Sequence, residues 1–164
     1  MRTARRIIRL LVQGAAIRSD LVDEMRDDPA VADDGLIAVA AIGTVVVGLT
    51  TFHWLPTVIA PLATPLLALF VSFVLRLVSR IAGNQVTFAE TTAVVTLTSL
   101  PLVLIPIPFV GGLIGPVWWL FSGILLLGRV TLAGIDNAAL VTLLSHALSI
   151  GAILGFGFAV QSLL

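Results

Sequence analysis

Two long gaps between charges govern what this chain can fold into. From Gly35 to Leu75 there are 41 residues with no Asp, Glu, Lys or Arg, and between Glu90 and Arg129 another 38. A bilayer crossing takes about 20 apolar residues, so each gap is long enough for two crossings and a turn. The turns fall where a helix is hardest to continue: at His53-Trp54-Leu55-Pro56 in the first gap, and at Pro106-Ile107-Pro108-Phe109-Val110-Gly111-Gly112 in the second. A third charge-free run, from Ala138 to about Val160, supplies one more crossing. The expected architecture is all-α: an integral membrane bundle of five transmembrane helices over residues 35–164, preceded by a cytoplasmic, juxtamembrane segment over 1–34.

Composition agrees, with 59% hydrophobic residues, 11% charged and a mean hydropathy of +1.14, far from the roughly 25% charge of soluble domains. A net charge of zero gives no electrostatic pull toward nucleic acid, and with no cysteine there is no disulfide, thiolate metal site or cysteine nucleophile. All nine basic residues are Arg, which with the excess of Ala, Val, Leu and Gly fits GC-rich bacterial coding and hence a cell inner membrane.

The segment Met1 to Asp34 holds six of the nine arginines and seven of the nine acids. Ile7, Leu10, Leu11, Gly14, Ile17, Leu21 and Met25 recur at helical spacing, with Arg5, Arg6 and Arg9 elsewhere, so one amphipathic helix is expected on the membrane surface. Its arginines would meet anionic headgroups. The twin Arg5-Arg6 does not make a secretory signal, because Arg9 interrupts an apolar run that is already too short. Asp28-Pro29 then breaks the helix, and Asp33-Asp34-Gly35 is the expected N-cap of the first crossing. Pro61 and Pro65 are expected to bend the second crossing near its start. Arg76 and Arg80 close it one turn apart, either as plain interfacial anchors or as a grip on a lipid phosphate or acidic partner. Thr87-Phe88-Ala89-Glu90 reads as a capping box for crossing three, which should run to about Ile105. Gly134 is expected to stop crossing four, and Asp136 to cap crossing five.

Arginine then sets the topology. With the N-terminus in the cytoplasm, Arg2 to Arg26, Arg76, Arg80 and Arg129 all fall on the cytoplasmic side, and the C-terminus lies outside. Trp54 and Phe109 mark the opposite, charge-free turns.

Small residues at a spacing of four mark packing seams in lipid. Ala147, Gly151 and Gly155 form one on crossing five, Ala40, Thr44 and Gly48 one on crossing one, and Gly111 and Gly115 one on crossing four; each serves either the fold or a homo-oligomer. Buried polar groups are the candidates for function. Thr92, Thr96 and Ser99 line one face of crossing three, with Thr91 and Thr98 flanking, and His146 lies two turns into crossing five. They are read either as a proton or solute route with His146 titrating, or as ordinary hydrogen bonds inside and between helices. No catalytic constellation, metal-ligand spacing or cofactor motif is present, short of Ser122 or Ser99 facing His146.

The run Gly83-Asn84-Gln85-Val86-Thr87-Phe88-Ala89-Glu90-Thr91, followed by Leu100-Pro101, Ile105-Pro106, Val110-Gly111-Gly112-Leu113-Ile114-Gly115, Trp119 and Leu132-Ala133-Gly134-Ile135-Asp136-Asn137-Ala138-Ala139-Leu140, resembles the Yip1 domain family. The resemblance implies a cytoplasmic N-terminus and five crossings. The many bacterial members have no settled biochemical role; the expected role here is a non-enzymatic adaptor or membrane organiser whose amphipathic helix and arginine-rich face meet lipids or a partner. Eukaryotic members are linked to Rab GTPases and early secretory traffic, but their Tyr-containing motifs have no counterpart in a chain without Tyr. The expected partners are membrane lipids and a protein partner or second copy, without nucleic acid. The alternative is a small oligomeric permease or channel.

Overall fold

The computed structural model describes residues 4–163; Arg2 and Leu164, assigned above to the cytoplasmic and outer sides, lie outside the described residues. Seven α-helices follow one another: α1 (Ala4–Ala15), α2 (Ser19–Asp27), α3 (Ala30–Thr51), α4 (Trp54–Ile81), α5 (Phe88–Leu97), α6 (Gly111–Thr131) and α7 (Ile135–Leu163), with a 3₁₀ helix, Leu100–Leu104, between α5 and α6. Four stretches are long and apolar enough to cross a membrane: Ala30–Thr51, Trp54–Ile81, Gly111–Thr131 and Ile135–Phe156.

The third expected crossing takes a different form. Phe88–Leu104 spans 17 residues, and at about 1.5 Å per α-residue and 2 Å per 3₁₀ residue it reaches about 28 Å, just under a hydrocarbon core about 30 Å thick. Pro101 is the reason for the change of helix. It has no N–H to give Leu97, so α5 ends there, and Ser99 and Leu102 instead bond three residues back, to Thr96 O at 3.2 Å and Ser99 O at 2.9 Å. Every residue from Thr91 to Ser99 is buried, and α3, α4 and α6 pack against this short element.

The start of α5 is held by its capping box. Thr87 Oγ1 accepts from Glu90 N at 3.2 Å, and Glu90 Oε2 accepts from Thr87 N at 2.7 Å, an arrangement worth about 1 kcal/mol. Just before it Gly83, at φ +83°, closes α4: its N–H reaches Arg80 O at 3.0 Å, and the next N–H, of Asn84, reaches Ser79 O at 2.9 Å.

The N-terminal segment is two helices rather than one. Ile17 takes a left-handed conformation (φ 56°), and the bonds Ile17 N to Gly14 O and Arg18 N to Gln13 O end α1 as a glycine would. The apolar face is turned onto the bundle: Leu10, Leu11, Gly14, Leu21, Val22 and Met25 are buried. Here α1 crosses α3, α5 and α6. Gly14 lies flat on Leu97, where a β-carbon would overlap the carbonyl oxygen and sit 2.8 Å from its carbon. Trp118 Nε1 donates to Ala15 O at 3.2 Å.

Three terminal assignments change. The start of α3 is at Ala30, whose N–H is taken by Asp28 Oδ1 at 2.9 Å, so Asp33 and Asp34 sit inside the helix rather than capping it. At the other end of the bundle's sequence, α7 begins at Ile135, which puts Asp136 in its first turn rather than at the N-cap. And α6 is stopped by left-handed Leu132 (φ 55°), not by Gly134.

Packing seams follow glycine only in part. The α3–α4 contact closes at Gly43 on Thr64, whose Oγ1 donates across to Val39 O at 3.2 Å, and at Gly48 on Thr57. Gly111 and Gly115 lie against the carbonyls of Leu104 and Pro101. The stripe Ala147, Gly151 and Gly155, by contrast, is exposed, with nothing within 4 Å of either glycine's β-position. α4 and α7 pack on each other, with Leu75 and Thr142 around one small cavity, and among the described residues the buried polar ones of the two helices are Ser72 and Ser79 on α4 and Thr142, Ser145 and Ser149 on α7.

Candidate functional site

The charged connections gather at one end of the bundle. Arg26 Nη2 donates to Val130 O at 3.0 Å, Arg129 donates to Ile17 O, and Asn84 Nδ2 donates to Asn137 Oδ1 at 2.8 Å, which ties α2, the end of α6, the α4–α5 link and the start of α7 together. The Pro106–Gly112 turn and His53 lie at the opposite ends of the same helices.

Of the five arginines expected to meet headgroups, two are engaged inside the protein. Arg6 pairs with Asp28 at 2.5 Å and with Asp34 at 3.1 Å, and stands 4.0 Å from Glu24. Asp34 is wholly buried, so this contact pins α1 to α3. The hydrogen bond to Asp28, aided by the charges of Asp34, Asp28 and Glu24 against the cost of burial, holds the Arg6 guanidinium above its usual range. Arg9 meets Glu24 at 2.7 Å, while Arg5 is exposed.

Arg76 and Arg80 stand apart from this cluster. They line an open crevice of about 670 Å³ with the link Gly83–Thr87 and Glu90. Arg76 Nε is buried and has no acceptor among the described residues. Glu90 faces the same crevice, but one of its oxygens is committed to the Thr87 cap.

Some of the polar groups deep in the bundle are satisfied by their own helices, while Thr92 Oγ1, Ser79 Oγ and Thr142 Oγ1 are buried without a hydrogen bond among the described residues. Thr96 Oγ1 donates to Thr92 O at 2.7 Å, Ser99 Oγ to Thr96 O at 2.5 Å and Thr98 Oγ1 to Val94 O at 2.7 Å. His146 Nδ1 lies 2.8 Å from Thr142 O, and its ring meets Trp119 edge-on with centroids 4.8 Å apart. Thr96 faces Gly35 of α3, whereas His146 shares a cavity of about 10 Å³ with Thr98, Thr142 and Trp119, room for no more than about one water. The structure therefore does not bring His146 onto the Thr92, Thr96 and Ser99 line. Ser122 Oγ and His146 Nε2 are both buried without a hydrogen bond, so they do not bond each other. Among the described residues no group of three or more His, Asp or Glu side chains converges as a metal site would require.

Two features escaped the sequence reading. Asp34 was visible only as a cap, because nothing local marks a carboxylate for burial against an arginine 28 residues earlier. The buried serines of α4 and α7 were missed although Ser145 and Ser149, at i and i+4, carry the same small-residue signal as the glycines. Compared with protein-family models, curated proteins and solved structures, the chain matches none.

Proposed function

We propose that this chain is a bacterial inner-membrane protein acting without catalysis as an adaptor or membrane organiser, with the cytoplasmic N-terminus and five crossings that its resemblance to the Yip1 domain family implies and its C-terminus outside. The observation that carries the reading is the gathering of charge at one end of the bundle, where α1 and α2 are clamped by Arg6, Arg26 and Arg129. That end offers lipids and partners a charged platform, and the rest of the described surface is largely aliphatic and aromatic. Support for a fifth crossing comes from α5 and its 3₁₀ extension, which join the charged end to the turn from which α6 starts back. Their shortfall is small, and the stretch from Thr91 to Ser99, with Pro101, is buried in protein, where irregular backbone at membrane depth is permitted.

The permease reading needs a polar route. Of the hydroxyls it would use, those of Thr96 and Ser99 are hydrogen-bonded to their own helix, while Thr92 Oγ1 is buried without a partner among the described residues, and His146 sits in a pocket with room for no more than about one water, so no continuous polar route joins them and the adaptor reading is favoured. Proton flux into liposomes carrying the purified protein, followed by an entrapped pH dye, is expected to match protein-free liposomes. A flux that His146→Ala abolishes would replace the adaptor with the permease.

A further inference from the structure

We propose that the crevice between the end of α4 and the α4–α5 link is a binding site for the phosphodiester of an anionic phospholipid, gripped by Arg76 and Arg80. It rests on the reading above that this end lies at the membrane interface. Three observations carry it. The first is an unused donor: Arg76 lines a crevice that holds a second guanidinium one turn away, and its Nε, at the buried base of that side chain, has no acceptor among the described residues. Arginine presents its N–H groups as a planar fork that suits phosphate oxygens, and a buried donor without a partner carries a cost that such an oxygen removes.

The second is charge. Two arginines and Glu90 leave the crevice at about +1, since Glu90 is tied by its cap. That balance matches the single charge of a phosphodiester better than the near-double charge of a phosphomonoester, which the Glu90 carboxylate would repel.

The third is depth and direction. From Trp54 to Leu75 the helix carries no charge over about 33 Å at 1.5 Å per residue, so Arg76 comes where the hydrocarbon ends and phosphates begin. On the same face of α4 as Arg80, Leu66, Phe73 and Leu77 are exposed at 66%, 57% and 50%. They form a track along which the acyl chains of a lipid held at the arginines would lie. Arg6 and Arg9 cannot compete for the headgroup, because carboxylates already hold them.

The test uses the full chain in detergent, with dihexanoyl phosphatidylglycerol, the matching diacylglycerol without phosphate, and inorganic phosphate as ligands, and the thermal midpoint against concentration as readout. Phosphatidylglycerol is expected to raise the midpoint, the diacylglycerol to do so far less, and inorganic phosphate not to compete. The Arg76→Gln/Arg80→Gln variant should bind phosphatidylglycerol at least about tenfold more weakly, while Arg5→Gln binds as the parent does. Should the double variant not stay monodisperse, Arg80→Gln alone, at an exposed position, carries the same expectation. Equal binding by the arginine variants overturns the site. Competition by inorganic phosphate as strong as that of the lipid overturns the lipid and leaves a soluble-anion site. Neither result depends on the flux measurement, so the site and the adaptor reading fail separately.

Discussion

Replacing Gly14 with leucine is expected to lift α1 and α2 off the bundle. At Gly14 the neighbour is not a side chain that can turn aside but the Leu97 carbonyl, fixed where Pro101 ends α5. Even the first added carbon overlaps that group, and leucine adds three more. Overpacking a well-filled site costs about 1–3 kcal/mol and more when backbone must move. The better helix propensity of leucine returns no more than about 1 kcal/mol, so the sign is clear. Amide exchange over residues 4–27 should rise toward that of an exposed helix, while α4 and α6 keep their protection. Unchanged exchange in α1 would mean that Gly14 does not set its seat.

Asp34→Ala is expected to loosen the same unit through its other end. The carboxylate is wholly buried and meets Arg6 at 3.1 Å. Removing one partner of a buried pair costs about 3–5 kcal/mol when the other is stranded. Arg6 keeps Asp28 at 2.5 Å and is partly exposed at 28%, so we expect about 2–3 kcal/mol, read as the free energy of opening α1 by amide exchange. Arg6→Ala on the Asp34→Ala background should then cost much less than it does alone. Additive losses would show that the two side chains do not act through each other.

Charge gaps made the long helices legible because a spanning helix must be apolar over a length that few other structures need. The Thr87 and Glu90 cap and the Pro106–Gly112 turn were legible for a similar reason: each is local chemistry, complete within a few residues. What the sequence concealed depends on distance. Ile17 carries no breaking signal, and the bend there goes with the docking of α1 and α2 onto α3 and onto α5 and α6, which lie more than 70 residues further on. Asp34 was given to a cap because the approach of Arg6 cannot be inferred from spacing. Gly43 rather than Ala40 and Thr44 closes the α3–α4 seam, and Gly151 and Gly155 face outward, since a stripe of small residues does not say which neighbour it meets. Pro101 was in plain view, yet its effect was underestimated: it shortens the α-helical part of the third segment to Phe88–Leu97.

The central claim is that the α5 segment, short as it is, carries the chain from one side of the membrane to the other. Because the chain has no cysteine, single cysteines can be placed at exposed positions on either side of it, as Gln85→Cys, Ile107→Cys and Ile135→Cys, and labelled in intact cells with a membrane-impermeant maleimide. The account predicts labelling at position 107 in intact cells, and at 85 and 135 only after the membrane is opened. Positions 85 and 107 responding alike would contradict it, for the segment would then turn back without crossing.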